Sequence, residues 1–167
     1  MKYPSIGTVS EGTMRPEDLI PEFMAVIERY APERYEAILE SDDYPQALED
    51  GDYPDYEGAC QFLESLFDTM NEIGAPYTYF GASEGDGADY GYWPSIESLE
   101  EDTHYVNGAI KVNAGDDWAY ADGRIAINGE PHGLGGGESI GYVMSVSDHG
   151  NVTLYDAKTR EEIWSIA

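Results

Sequence analysis

The chain reads as an α+β protein, with N-terminal helices packed on a C-terminal antiparallel β-meander. Two observations predict this. Up to Gly74, apolar residues recur at three- and four-residue spacing, the period of a helix with one buried face. After Gly74 they alternate in short segments separated by Gly, Asp and Asn, the pattern of strands joined by turns. Helices in one stretch and strands in the next make α+β rather than α/β.

The first helix enters at Thr13-Met14-Arg15-Pro16-Glu17-Asp18. Pro16 is tolerated in a first turn, and acids there face the positive end of the helix dipole. Pro21 offers a second start. Ile20, Phe23, Met24, Ile27 and Tyr30 form the buried face. A second, short helix begins near Pro32 and buries Tyr35, Ile38 and Leu39. The third runs from about Asp55 to Ile73, turns Leu63, Leu66, Phe67 and Met70 inward, and stops at Gly74. Tyr77–Phe80 and Asp89–Trp93 then read as strands around a Gly/Asp turn at 84–88. Residues 95–102 are polar and fit neither period. Further strands are expected at Trp118–Ala121, Arg124–Asn128, Ile140–Ser147, Asn151–Tyr155 and Ile163–Ile166. Hairpin turns are expected at Asp148-His149-Gly150-Asn151 and Asp156-Ala157-Lys158-Thr159. The whole is expected to form one domain over 1–167, with 1–75 mainly helical and acidic and 76–167 mainly antiparallel β.

The core has little aliphatic material. Leu, Ile, Val and Phe total 31 of 167 residues, about 19%, on the disordered side of the compositional line for so charged a chain. Fourteen Tyr and three Trp make up part of the missing apolar area, since each aromatic buries about 150–250 Å². The expectation is a folded chain with a tyrosine-rich core. Tyr90, Tyr92 and Trp93 belong either to that core or to an exposed face that would pair two copies.

Charge is the dominant feature. There are 34 Asp and Glu against 8 Lys and Arg, a net charge of −26. Such a chain repels nucleic acid and anionic membranes at long range. No apolar run approaches 18 residues, and Met1-Lys2-Tyr3-Pro4 lacks the plan of a signal peptide. One cysteine, Cys60, excludes an internal disulfide. These features together predict a cytoplasmic protein.

The acids are unevenly laid out. Residues 1–102 carry 25 acids and 4 bases, and residues 103–167 carry 9 and 4. Between Arg34 and Lys111 lie 76 residues with 19 acids and no base. On the third helix, Glu57, Glu64, Asp68 and Glu72 fall near one edge, the last three at i, i+4 and i+8. Like charges so placed repel by about 0.2–0.5 kcal/mol per pair, and a solvated helix would ordinarily interleave Lys or Arg. The Asp-Tyr-Pro strings at 43–45 and 52–54 give an acidic loop with two projecting tyrosines. The candidate partner-binding set is therefore Glu36, Glu40, Asp42, Asp43, Asp50, Asp52, Asp55, Glu57, Glu64, Asp68 and Glu72, with Tyr44, Tyr53 and Tyr56 among them.

Catalytic chemistry is not signalled. His104, His132 and His149 have no second ligand at metal spacing, and Cys60 has no neighbouring base to activate it. Gly133-Leu134-Gly135-Gly136-Gly137 lacks the phosphate-binding glycine pattern and a Walker lysine, and reads as an inter-strand loop. The acidic loops 50–55 and 84–89 lack the glycine and closing glutamate of an EF-hand, leaving weak divalent binding at most. No cofactor fingerprint and no nucleophile motif is present. The expectation is a non-enzyme without cofactor or metal.

The acidic surface predicts a decoy: an inhibitor that occupies the basic nucleic-acid-binding surface of a nuclease or CRISPR effector. The main alternative is an immunity protein that neutralises one basic toxin. A third is a structural or salt-adapted protein whose charge is only solvation, although salt adaptation should spread acids across the whole fold.

Three strings support the first reading. Gly7-Thr8-Val9-Ser10-Glu11-Gly12-Thr13-Met14-Arg15-Pro16-Glu17-Asp18-Leu19-Ile20-Pro21, Tyr79-Phe80-Gly81-Ala82 with Asp86-Gly87-Ala88-Asp89-Tyr90-Gly91, and Ser147-Asp148-His149-Gly150-Asn151-Val152-Thr153-Leu154-Tyr155 resemble uncharacterised accessory proteins of bacteriophages. In charge and size the chain is also similar to DNA-mimic anti-restriction and anti-CRISPR proteins, by composition and not by motif. The resemblance implies action against a host defence nuclease inside the infected bacterium, a CRISPR complex ahead of a restriction enzyme. It transfers no site residues.

Overall fold

The computed structural model describes residues 2–47, 51–132 and 139–167. It is an α+β chain, with four helices and ten strands in three sheets among these residues. Most helix lies in the N-terminal half and most strand in the C-terminal half. The chain divides into two compact units, Met1–Pro94 and Ser95–Ala167. Strands over 78–94 thus belong with the helices that precede them.

The first unit holds β1 (Gly7–Ser10), α1 (Pro16–Tyr30), α2 (Pro32–Leu39), α3 (Tyr56–Ile73), β2 (Thr78–Ser83) and β3 (Asp86–Pro94). Proline stands at the start of α1 and α2, where its missing N–H has no helical partner to lose. Pro21 lies inside α1 on its exposed side, so it does not restart the helix. Asp55 caps α3 by accepting from the Gly58 N–H at 3.0 Å. The helices pack on an antiparallel sheet of order β1-β3-β2.

Phe23 is the centre of this core. Its ring meets Phe67, Phe80 and Tyr90 edge-on at 5.1, 5.0 and 6.3 Å, the geometry favoured by aromatic quadrupoles. Tyr92 is fully buried and donates its hydroxyl to the Met70 carbonyl at 2.6 Å. Burial pushes that phenol well above the usual tyrosine range. Tyr90 is buried too, and Trp93 is half-buried with its indole N–H on the Gly81 carbonyl. Of the two readings left open for these three residues, Tyr90 and Tyr92 are core. Gly74 ends α3 with φ −64°, so it is not needed for a left-handed turn. A Cβ there would stand 2.9 Å from the Tyr92 ring, and the glycine admits the ring instead.

The second unit holds α4 (Ile96–Tyr105), β4 (Ala109–Asn113), β5 (Trp118–Ala121), β6 (Arg124–Ile127), β7 (Glu130–His132), β8 (Tyr142–Val146), β9 (Val152–Asp156) and β10 (Glu162–Ile166). β8, β9 and β10 form the antiparallel meander expected from the sequence. β4 adds to it in parallel with β8, a departure from a purely antiparallel arrangement. β5, β6 and β7 make a separate antiparallel sheet. Ile110, Val112, Trp118, Ile125, Ile140, Val143 and Ala157 form one buried cluster, and Leu99, Met144, Leu154 and Trp164 are buried too. Both expected hairpin turns are present. Gly150 takes φ 82° in the first. In the second, Asp156 Oδ1 accepts from the N–H groups of Lys158 and Thr159. The Gly133–Gly137 loop lies outside the described residues.

Candidate acidic interface

The acidic candidates sit on three consecutive segments of the first unit. α2 is amphipathic but shallow. It buries no residue fully, and Tyr35 and Ile38 lean half-buried on the core. Glu36 and, at its C-cap, Glu40 stand exposed. The following loop is folded by its own short side chains. Ser41 Oγ accepts from the Asp43 N–H, and the Ser41 carbonyl accepts from the Tyr44 N–H. This leaves Asp42 and Asp43 outward. On α3, Glu57, Glu64, Asp68 and Glu72 are all exposed on the face away from Leu63, Leu66 and Met70.

Ten of the eleven candidate acids are described, and all ten are exposed. Asp50 lies outside the described residues. Two of the ten have a cation nearby. Glu72 pairs with Arg34 across 38 residues of sequence, and Asp52 lies 4.0 Å from the Arg15 guanidinium. The expected unrelieved repulsion along Glu64, Asp68 and Glu72 is therefore relieved at its C-terminal end. Among the described residues, no cation comes within 4.0 Å of the other eight.

The tyrosines divide. Tyr56 is 58% exposed and raised above its ordinary pKa chiefly by its neighbour Cys60. Tyr44 and Tyr53 do not project as the sequence suggested. Both pack half-buried against the helical core, Tyr44 edge-on to Phe62 at 5.5 Å. Desolvation raises the Tyr53 phenol. Their rings brace the loop, since a core short of aliphatic side chains recruits nearby aromatics.

Two residues escaped the sequence reading. Arg34 ties α2 to the far end of α3 through Glu72. Arg15 gathers Glu17 at 2.5 Å, with Asp18 and Asp52 each at 4.0 Å, where α1 meets the loop. A backbone hydrogen bond, and after it the Arg15 contact, hold the Glu17 carboxyl below its ordinary range. The available signal was their scarcity: four cations stand among 21 acids in residues 1–94, and two of the four, Arg15 and Arg34, form ion pairs among the described residues.

His132 is exposed in β7, and His149 is exposed in its turn. His104 stacks edge-on with Tyr105, and Cys60 is a half-buried free thiol. Among the described residues no group of three or more His, Cys, Asp or Glu is placed to hold a metal ion, and no helix is long and apolar enough to cross a membrane. The chain matches no family model, no curated protein and no solved structure.

Proposed function

We propose that the protein is a non-catalytic inhibitor whose acidic face occupies the basic nucleic-acid-binding surface of a nuclease or CRISPR effector. The observation that carries this reading is the row of eight exposed carboxylates on α2, the loop and α3 without a cation beside them.

Charge density decides how good a decoy such a face makes. α3 has 18 residues, about 27 Å at ~1.5 Å per residue. Its own four acids give one charge per ~7 Å, too sparse on that rise to imitate nucleic acid. Counting the eight described candidates without a cation beside them over the same ~27 Å gives one per ~3.4 Å. That equals the spacing along one strand, ~3.4 Å, and is half the density of the duplex, at ~1.7 Å. The mimicry therefore needs α2 and the loop as well as α3. Inside the infected bacterium such a face would engage basic grooves with release of counterions, as DNA does.

The test is affinity capture from host lysate at about 50 and 200 mM salt, with and without duplex DNA. A DNA-binding nuclease or CRISPR component retained at low salt and displaced by duplex supports the reading. Six to ten phosphate-like contacts weaken binding by about 10³–10⁵ over that range. The variant to compare replaces Glu57, Glu64 and Asp68 with Gln, avoiding Glu72 because Arg34 already holds it. Losing three charges should flatten the salt slope by about 2.7. An unchanged slope removes α3 from the interface. Retention of one toxin, insensitive to duplex, would indicate an immunity protein instead.

A further inference from the structure

Most of the acidic face reads only charge, but one part of it also has shape. A cavity of about 540 Å³ opens between the loop 42–46 and the first three turns of α3. Asp42, Asp43 and Asp55 stand at its rim, and Tyr44, Pro54 and Phe62 form apolar wall. Among the described residues that line it, none carries a positive charge. Its back wall is fixed, because Ala59 is fully buried, Phe62 nearly so, and the Tyr44 ring is set edge-on against Phe62.

Resting on the inhibitor reading above, we propose that this cavity receives an arginine side chain of the basic partner and anchors the complex there. The chemistry of the lining selects arginine over other cations. Asp55 gives one oxygen, Oδ1, to the Gly58 N–H at the start of α3 and keeps its charge there. The helix end is therefore already capped and does not repel an incoming cation. Asp42 and Asp43 remain, neither in an ion pair. Adjacent carboxylates suit a planar guanidinium, which presents its donors as a fork, better than the point charge of a lysine. The Tyr44 and Phe62 side offers ring surface and the prolines offer apolar wall, against which the aliphatic stem and the weakly hydrated guanidinium pack. The volume admits the side chain and part of the chain that carries it. The outer face of α3, by contrast, sets no such limit, and any cation serves there.

The probes are two peptides of equal length and charge, one with arginine and one with lysine between glycines, titrated calorimetrically at about 50 mM salt. The wild-type protein should bind both, with the arginine peptide favoured at least tenfold. Gln61→Trp fills the cavity from an exposed position on α3 without changing charge. It should bring the arginine preference to about onefold while leaving lysine-peptide binding unchanged. The double variant Asp42→Asn, Asp43→Asn, at exposed loop positions, should also lose the preference. Equal wild-type affinity for the two peptides overturns the cavity while leaving the charge-reading face intact. So does an arginine preference that survives Gln61→Trp. Binding of neither peptide at low salt overturns both the cavity and the inhibitor reading.

Discussion

The first unit holds 21 Asp and Glu against four Lys and Arg over residues 1–94, and the second holds 13 against four over 95–167. Per residue the contrast is smaller than the raw run of acids suggests, because Glu97, Glu100, Glu101 and Asp102 on α4 fall in the second unit. Both units use some acids to fold turns and leave others exposed without a bond among the described residues, Glu57, Glu64 and Asp68 on α3 and Glu97, Glu100 and Glu101 on α4. The first unit differs in the length of its row. In the second unit, acids fold turns. Asp116 accepts from the Asn113 N–H and the Asn128 amide, and Asp156 closes the β9–β10 turn. Two of its cations lie over rings, Arg160 4.3 Å from the Trp118 centroid and Lys158 6.0 Å from that of Tyr120, as Lys2 and Arg29 lie over Tyr3 and Tyr30 in the first unit. In the first unit, Glu57, Glu64 and Asp68 are exposed and make neither hydrogen bond nor ion pair among the described residues. Acids that fold nothing cost repulsion without local return. The proposed interface takes the longer of these rows, on α3, as its centre.

The largest effect expected would test whether the units are energetically separate. Phe23→Ala removes the ring at the centre of the first core, contacting Phe67, Phe80 and Tyr90. The loss should be about 3–5 kcal/mol, read as lost hydrogen-exchange protection in α1 and α3. Amides of β8 and β9 should keep theirs. Equal loss in both would mean that the chain unfolds as one body, and the comparison would then describe surface chemistry only.

A smaller effect sharpens the second unit's side. Arg160 sits at φ 63°, a left-handed conformation that costs a non-glycine residue about 1 kcal/mol. Its side chain offsets this by lying over the Trp118 ring and donating to the Trp118 carbonyl. Arg160→Ala keeps the strain and loses both contacts, about 1–2 kcal/mol together. Arg160→Gly loses the contacts but relieves the strain, so it should cost less than alanine. Denaturation midpoints give the order. If glycine is the worse of the two, the strain account fails.

How much of this was legible follows the same division between local and distant causes. Pro16, Pro32, Asp55 and Gly74 punctuate the first three helices locally, and their bounds fall close to where the sequence put them. α4 was missed because its one fully buried residue is Leu99 and it ends at Val106 in the left-handed region, without a glycine signal. β1 and β4 were missed for a related reason. Each is four or five residues long and takes its place from a partner far along the chain, Tyr90–Tyr92 and Tyr142–Val146 respectively. In the candidate interface, exposure of the α3 acids followed from helical spacing, and that of Asp42, Asp43 and Asp52 from the loop composition. The inward packing of Tyr44 and Tyr53 did not, since it depends on α3 arriving beneath the loop. The cavity beside Tyr44 is likewise a product of two segments meeting.

The Arg34–Glu72 pair is the least legible contact and gives the smallest effect on stability. Its partners are 38 residues apart, and both side chains are about half exposed. Exposed pairs of this kind contribute about 0.2–1 kcal/mol, so Arg34→Gln should barely move the unfolding midpoint. Its effect on binding should have the opposite sign to that of any acid removed from the face. Losing the cation frees Glu72 and extends the unpaired row on α3 to its last turn. For a basic partner, one more available carboxylate should steepen the dependence of affinity on salt by about 0.9 in the logarithmic slope. The wild-type slope and the Arg34→Gln slope, measured with the same arginine peptide, decide this. A flatter slope in the variant would mean that Arg34 presents Glu72 to the partner, and α3 would act through an ordered pair at that end.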